Sequence, residues 1–187
     1  MMVPLAEAQQ HSNARVIGVV YLLYFLVAVL GELLVPHRLV AVVEAVNLVS
    51  FAVYIAVTLL FYGLFKPVNR NVSLLAAIVS LLGSLVGILG VFHLAPAHLS
   101  PLWFFGPYCI LLGCLTFRSA FLPRILGALL VLAGVGWLAY LSPAVAHAFS
   151  RWIMGLGILA EASLMLWLIV KGVDEPRWRE RAAMEAA

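Results

Sequence analysis

Few side chains in this sequence can do chemistry, and Glu161 is the most informative of them. It stands ten residues from Arg151 and ten from Lys171, with no other charge between those two. On a helix rising about 1.5 Å per residue it therefore sits about 15 Å from either end. If that stretch crosses a bilayer, whose hydrocarbon core is about 30 Å thick, the carboxyl stands near its centre. An ionised carboxylate facing lipid at that depth costs at least about 2–3 kcal/mol. Glu161 must then face the protein interior and either hold a proton or meet a hydrogen-bond partner. Helical spacing puts Met154, Gly157, Leu164 and Leu168 on the same inward face. Acids at such depth are by default candidates for ligand or proton sites. The structural alternative is a carboxyl tied to a tyrosine or serine as a link between helices.

Two further polar lines follow helical spacing. Glu44, Asn47, Phe51, Tyr54 and Thr58 share one face, and Tyr21, Tyr24, Ala28 and Glu32 share another. Neither face should meet lipid, so both are expected to look into a bundle, as interhelical hydrogen bonds or as the wall of a polar cavity opening outward with Glu161 as its floor. The candidates for holding a ligand or a proton are thus Glu161, Glu32, Glu44, Asn47, Tyr21 and Tyr54. The excess of acids among them suits a small cationic or amphipathic ligand, bound or transported.

Other chemistries find little support. His93 and His98 are weak metal candidates with Glu32 and Glu44 at the same depth, but they lie five positions apart across a proline, not at the i, i+4 spacing that aligns two imidazoles. No histidine falls in the middle of an apolar stretch to hold haem. There is no P-loop, no G-x-S-x-G and no H-E-x-x-H, so no catalytic residue or cofactor is assigned. A membrane enzyme acting on a lipid or quinone at an outward His/Glu site stands as one alternative, and a non-catalytic assembly partner as another. Cys109 and Cys114 are five residues apart in one helix, about 140° around its axis, and cannot pair with each other.

The elements that must position these residues are set by composition. Of 187 residues, 65% are apolar and only 10% are Asp, Glu, Lys or Arg, with a mean hydropathy of +1.13. Soluble globules carry about a quarter charged residues, and disordered chains have low hydrophobicity, so both are excluded. At about 20 residues per crossing, breaks at Pro36, Lys66–Arg70, Ala95–Pro101, Arg118–Arg124 and around Arg151 divide the chain. The expectation is an all-α, six-helix transmembrane bundle with short loops, its spans at about 16–35, 45–65, 72–94, 102–117, 125–141 and 152–170. These form one domain over residues 15–173, between an N-tail of residues 1–14 and a charged C-tail of residues 174–187. The first span reads as retained, since the mixed polar segment before it is unlike a secretory signal.

Six crossings place nine of the eleven basic residues on the side of both tails and only Arg38 and Arg151 opposite. The positive-inside rule then makes both termini cytoplasmic, in a multi-pass membrane protein. Glu32, His37, Glu44, His93, His98 and His147 gather on the outer side. The sequon Asn71-Val72-Ser73 falls on the cytoplasmic side and is read as chance. The scattered single arginines form no nucleic-acid patch. The C-tail, despite its Arg and Trp residues, is read as solvated.

Lipid tails are as apolar as leucine, so membrane helices associate through small residues and buried hydrogen bonds. Ser73, Ala77, Ser80, Ser84 and Gly87 recur at alternating steps of four and three, and Gly83-x-x-x-Gly87 adjoins them. Ser80, Gly83, Ser84 and Gly87 are therefore expected to pack against a neighbour, and this face is the available contact for a homo-oligomer. Gly127 and Gly134 mark a second close approach, and Trp137 and Tyr140 suit an interfacial belt. Apart from the bilayer, no partner or small-molecule ligand is identified.

Ala14-Arg15-Val16-Ile17-Gly18-Val19-Val20-Tyr21-Leu22, the turn Lys66-Pro67-Val68-Asn69-Arg70, Phe117-Arg118-Ser119 with Leu122-Pro123-Arg124-Ile125-Leu126-Gly127, and Glu161 to Leu168 leading to Lys171-Gly172-Val173 together resemble the bacterial domain-of-unknown-function family 4386. The resemblance runs over about residues 14–173. It implies a small inner-membrane protein of several helices, and it transfers no catalytic residue, substrate or cofactor.

Overall fold

The computed structural model of the protein describes residues 3–34, 39–96 and 99–186, with side chains described outside residues 3–13, 143, 185 and 186. Among the described residues the architecture is wholly helical: α1 (Val3–Leu34), α2 (Val40–Phe65), α3 (Arg70–Val91), α4 (Leu102–Arg118), α5 (Arg124–Leu138, continued by a 3-10 turn at Ala139–Leu141), α6 (Pro143–Val170) and α7 (Glu175–Ala186). Five segments, Ala14–Leu34, Val40–Phe65, Arg70–Val91, Arg124–Leu141 and Ala144–Val170, are long and apolar enough to cross a membrane. The α4 helix is equally apolar but has 17 residues.

The helix limits follow local chemistry. Asn69 caps α3 by accepting from the Val72 amide at 3.0 Å. The last helix of the bundle starts at Pro143, earlier than the expected residue 152, because proline's fixed φ suits a first helical turn. It ends where Gly172 takes a φ of 71° and its amide bonds back to the Trp167 carbonyl at 3.0 Å. His93, at a φ of 56°, closes α3 before residue 94.

Each helix packs on the next in chain order, and α6 packs back on α1, so the six apolar helices form a closed ring. Two devices hold it. Between α4 and α5 four glycines bring backbones together: a Cβ on Gly113 would stand 2.7 Å from the Gly127 carbonyl, and one on Gly134 would stand 2.7 Å from the Gly106 carbonyl. Between α2 and α3 the small-residue stripe is buried. The Thr58 and Ser80 hydroxyls are 2.7 Å apart, Ser73 donates to the Tyr62 carbonyl at 3.1 Å, and Phe51 lies over Gly87. Phe104 of α4 covers Gly83, where a Cβ would meet its Cβ at 2.9 Å. The stripe on α3 is thus consumed within the chain. It is not the open face for a second copy that its spacing suggested, since α2 and α4 already occupy it.

The inward face of α6 also differs from expectation at one position. Gly157, Glu161, Leu164 and Leu168 are buried, but Met154 is 51% exposed and Ile153 is buried instead. A helix apolar on all sides offers no contrast from which to choose between adjacent residues. The C-tail is not simply solvated. Asp174 caps α7 by accepting from the Arg177 amide at 3.3 Å, and the Trp178 indole donates to the Leu64 carbonyl at 3.0 Å. Arg177 also donates to the Ala120 carbonyl at 3.0 Å. The tail therefore ties the end of α2 to the turn between α4 and α5.

Candidate functional site

At the centre of the ring the Tyr21 hydroxyl donates to Glu161 Oε2 at 2.7 Å, and both residues are buried. The bond joins the first membrane helix to the last. It forms where α1 and α6 run close together, at a level set by Gly18, whose absent side chain lets α6 approach: a Cβ there would stand 2.9 Å from the Ile169 amide nitrogen. Aromatic rings pack around the pair. Tyr21 stacks on Tyr24 and meets Phe61 edge-on, and Tyr24 lies 4.8 Å from Tyr54 between ring centres.

Beside this pair opens a cavity of about 500 Å³, with Glu161 in its lining. From α1 it takes Tyr24, Ala28 and Glu32, and from α2 Asn47, Phe51 and Tyr54, so members of both polar stripes meet across one space. Tyr54, Ser80 and Glu161 form its deep end. Glu32 and Leu33, at the end of α1, and Pro101 and Leu102, at the start of α4, form its mouth. The wall is mostly apolar and aromatic, which is the usual make-up of a small-molecule site with a few placed polar groups. Among the described residues the buried Tyr54 hydroxyl and the Trp137 indole nitrogen have no hydrogen-bond partner.

The sequence-derived candidates divide accordingly. Glu161, Glu32, Asn47 and Tyr54 line the cavity, and Tyr21 orients Glu161 from behind it. Glu44 does not line it: its Oε1 lies 3.8 Å from His93 Nε2, where the His93 side chain is largely exposed and that of Glu44 partly so. His37 and His98 lie outside the described residues. Among the described residues no group of three or more His, Cys, Asp or Glu converges as metal ligands would. Ser80, Gly83 and Ser84, expected only to pack helices, also line the cavity.

Two contributions escaped the sequence reading. Trp137, assigned there to an interfacial belt, is buried against Phe105 at 5.3 Å between ring centres and lines the cavity. Gly157 is the signal that points to it. Its bare backbone accepts the indole, with a Cβ there 2.7 Å from Trp137 Cζ2, so the room it leaves is already filled. The second is Phe104 and Phe105, adjacent aromatics at the start of α4 that close one side.

No solved structure matches this chain. Among curated proteins, an uncharacterized protein of Archaeoglobus fulgidus is 28% identical over 127 residues, covering 63% of this chain and 76% of the relative. Residues 95–172, which hold α4, α5, α6 and Glu161, match the model of the family described as Domain of unknown function (DUF4386), the family whose motifs the sequence resembles.

Proposed function

We propose that this is a six-span membrane protein whose interior binds a small cationic or amphipathic molecule, with Glu161 as the buried acidic group that receives its charge. The observation that carries the reading is the cavity itself. A space of about 500 Å³ with aromatic walls ends on a buried carboxyl. Ring faces attract cations by about 0.5–2 kcal/mol each, more when water is excluded, and a carboxylate at the deep end complements the same charge. An apolar body fits the remaining wall. Passage of the ligand through the bundle is the corresponding transport activity.

The topology supports the same reading. The α4 helix, about 25 Å long at 1.5 Å per residue, is short for a span but follows a turn at Ser100–Pro101 that lengthens the segment. With six crossings, the basic turns and both termini share the cytoplasmic side, and the cavity mouth opens at the other face, with no arginine among its described lining residues.

Tetraphenylphosphonium binding to the protein in lipid nanodiscs tests the proposal. The wild-type protein is expected to bind above the background of empty nanodiscs, and Glu161→Gln, which keeps the size and the bond from Tyr21, to weaken binding at least tenfold with an unchanged melting temperature. Equal binding by both proteins, or none by either, overturns it.

A further inference from the structure

We infer that the cavity is entered sideways from the bilayer, through a slit between α1 and α6, and that its ligand is an amphiphile whose aliphatic tail lies in that slit. This rests on the cation-binding reading of the same cavity and adds the route and the shape of the ligand. Two close contacts of α1 with α6 are on the side of Glu161 toward the end of α6: Gly18 against Leu168 and Ile169, and Tyr21 against Glu161 itself. Beyond Glu161, toward the cavity mouth, the glycines of each helix face a different neighbour. Gly31 of α1 lies against Asn47 and Val46 of α2, whereas Gly136 of α5 faces Ile153 of α6, and Gly157 of α6 faces Trp137 of α5.

The side chains at this divergence are both cavity wall and outer surface. Val29 and Leu33 of α1 and Ile158 of α6 all line the cavity, yet they are 49%, 64% and 49% exposed. A sealed pocket would not be bounded by residues exposed to this degree. All three are aliphatic; Val29 rises about 12 Å along α1 from Tyr21 and Ile158 stands about 4.5 Å from Glu161 along α6, both within about 15 Å of the bilayer centre, while Leu33, about 18 Å from Tyr21, is at the mouth, so the opening at Val29 and Ile158 runs along the part of the bundle that meets acyl chains. A water-soluble ion would gain nothing from a greasy side entrance. A molecule already dissolved in the membrane reaches the carboxyl by it while its tail never leaves hydrocarbon.

Two phosphonium probes with one head and different tails, methyltriphenylphosphonium and dodecyltriphenylphosphonium, separate this from simple cation binding when measured in nanodiscs with partition into empty discs subtracted. The dodecyl compound is expected to bind at least tenfold more tightly. Ile158→Trp, which fills the slit, should cut that ratio about tenfold, and Val29→Trp should do the same from the other side. Leu159→Trp, on the neighbouring exposed residue outside the cavity lining, should leave the ratio as it is. If both probes bind the wild-type protein with equal affinity, or if the ratio is the same in Ile158→Trp and Val29→Trp as in the wild type, lateral entry is overturned while cation binding stands. If neither probe binds, both readings fall.

Discussion

Glu161 has one defined partner, and the chemistry of the site depends on that bond. Tyr21→Phe keeps the ring contacts with Tyr24 and Phe61 and deletes only the hydroxyl. Hydrogen bonds between membrane helices contribute about 0.5–2 kcal/mol, so a loss of about 1 kcal/mol is expected, read as a lower melting temperature in detergent. Glu161→Leu removes the acceptor at the other end of the same bond, so the double variant Tyr21→Phe with Glu161→Leu should lose less than the two single losses added together. Strict additivity would show that the two residues do not interact. This pair was half legible in advance: depth placed Glu161 in the interior, and spacing put Tyr21 on an inward stripe. That the two meet depends on α6 closing against α1, which no local pattern states.

At the level of the helices, glycine decides how near two backbones come, and its positions are not equivalent. A Cβ on Gly127 would meet the Phe117 amide nitrogen at 2.6 Å and the Gly113 carbonyl at 2.7 Å, both backbone atoms that cannot turn aside. Gly155 has nothing within 4 Å. Gly127→Ala is therefore expected to destabilise by about 1–3 kcal/mol, as overpacking does. Gly155→Ala should be neutral or stabilise by up to about 1 kcal/mol, the helix-propensity difference. Thermal unfolding of both variants in one detergent checks the contrast. A close approach at Gly127 and Gly134 was foreseeable from their seven-residue spacing; that α4 is the partner, with Gly106 and Gly113 at the same spacing, emerges only from the fold. The polar stripes were readable because a few polar groups stand out on an apolar background. Met154 and Trp137 were misplaced for the converse reason: where every side chain is apolar, rotation about the helix axis leaves no trace in the sequence.

For the molecule as a whole, the charged C-terminal segment acts as a clasp across the basic end. Trp178 reaches α2 and Arg177 reaches the turn between α4 and α5. Composition alone marked these residues as soluble, since docking of a charged helix depends on carbonyls more than fifty residues away in the chain. Trp178→Ala removes a half-buried indole and its hydrogen bond. It should release α7, so that trypsin cleaves after Arg177, Arg179 and Arg181 several-fold faster, with little change in the melting of the remainder. Unchanged cleavage would mean that the indole does not hold the helix. Orientation is tested separately. With Cys109 and Cys114 replaced by serine, a cysteine introduced at Ala183 is expected to resist a membrane-impermeant thiol reagent in intact cells and to react once they are opened.

The ring of six helices also sets a timetable. Helices two to five each find a neighbour in the segment synthesised just before them, but the Tyr21 hydroxyl on the first helix meets its acceptor only on α6. While the ribosome is still adding the intervening hairpins, the ring can rest on Phe61 of α2 but its hydroxyl lacks the carboxyl it will bind. The insertion machinery or a passing lipid head must shelter it until the sixth helix arrives. Chains stopped short of α6 should accordingly be cleared by membrane proteases, however well their earlier helices have inserted.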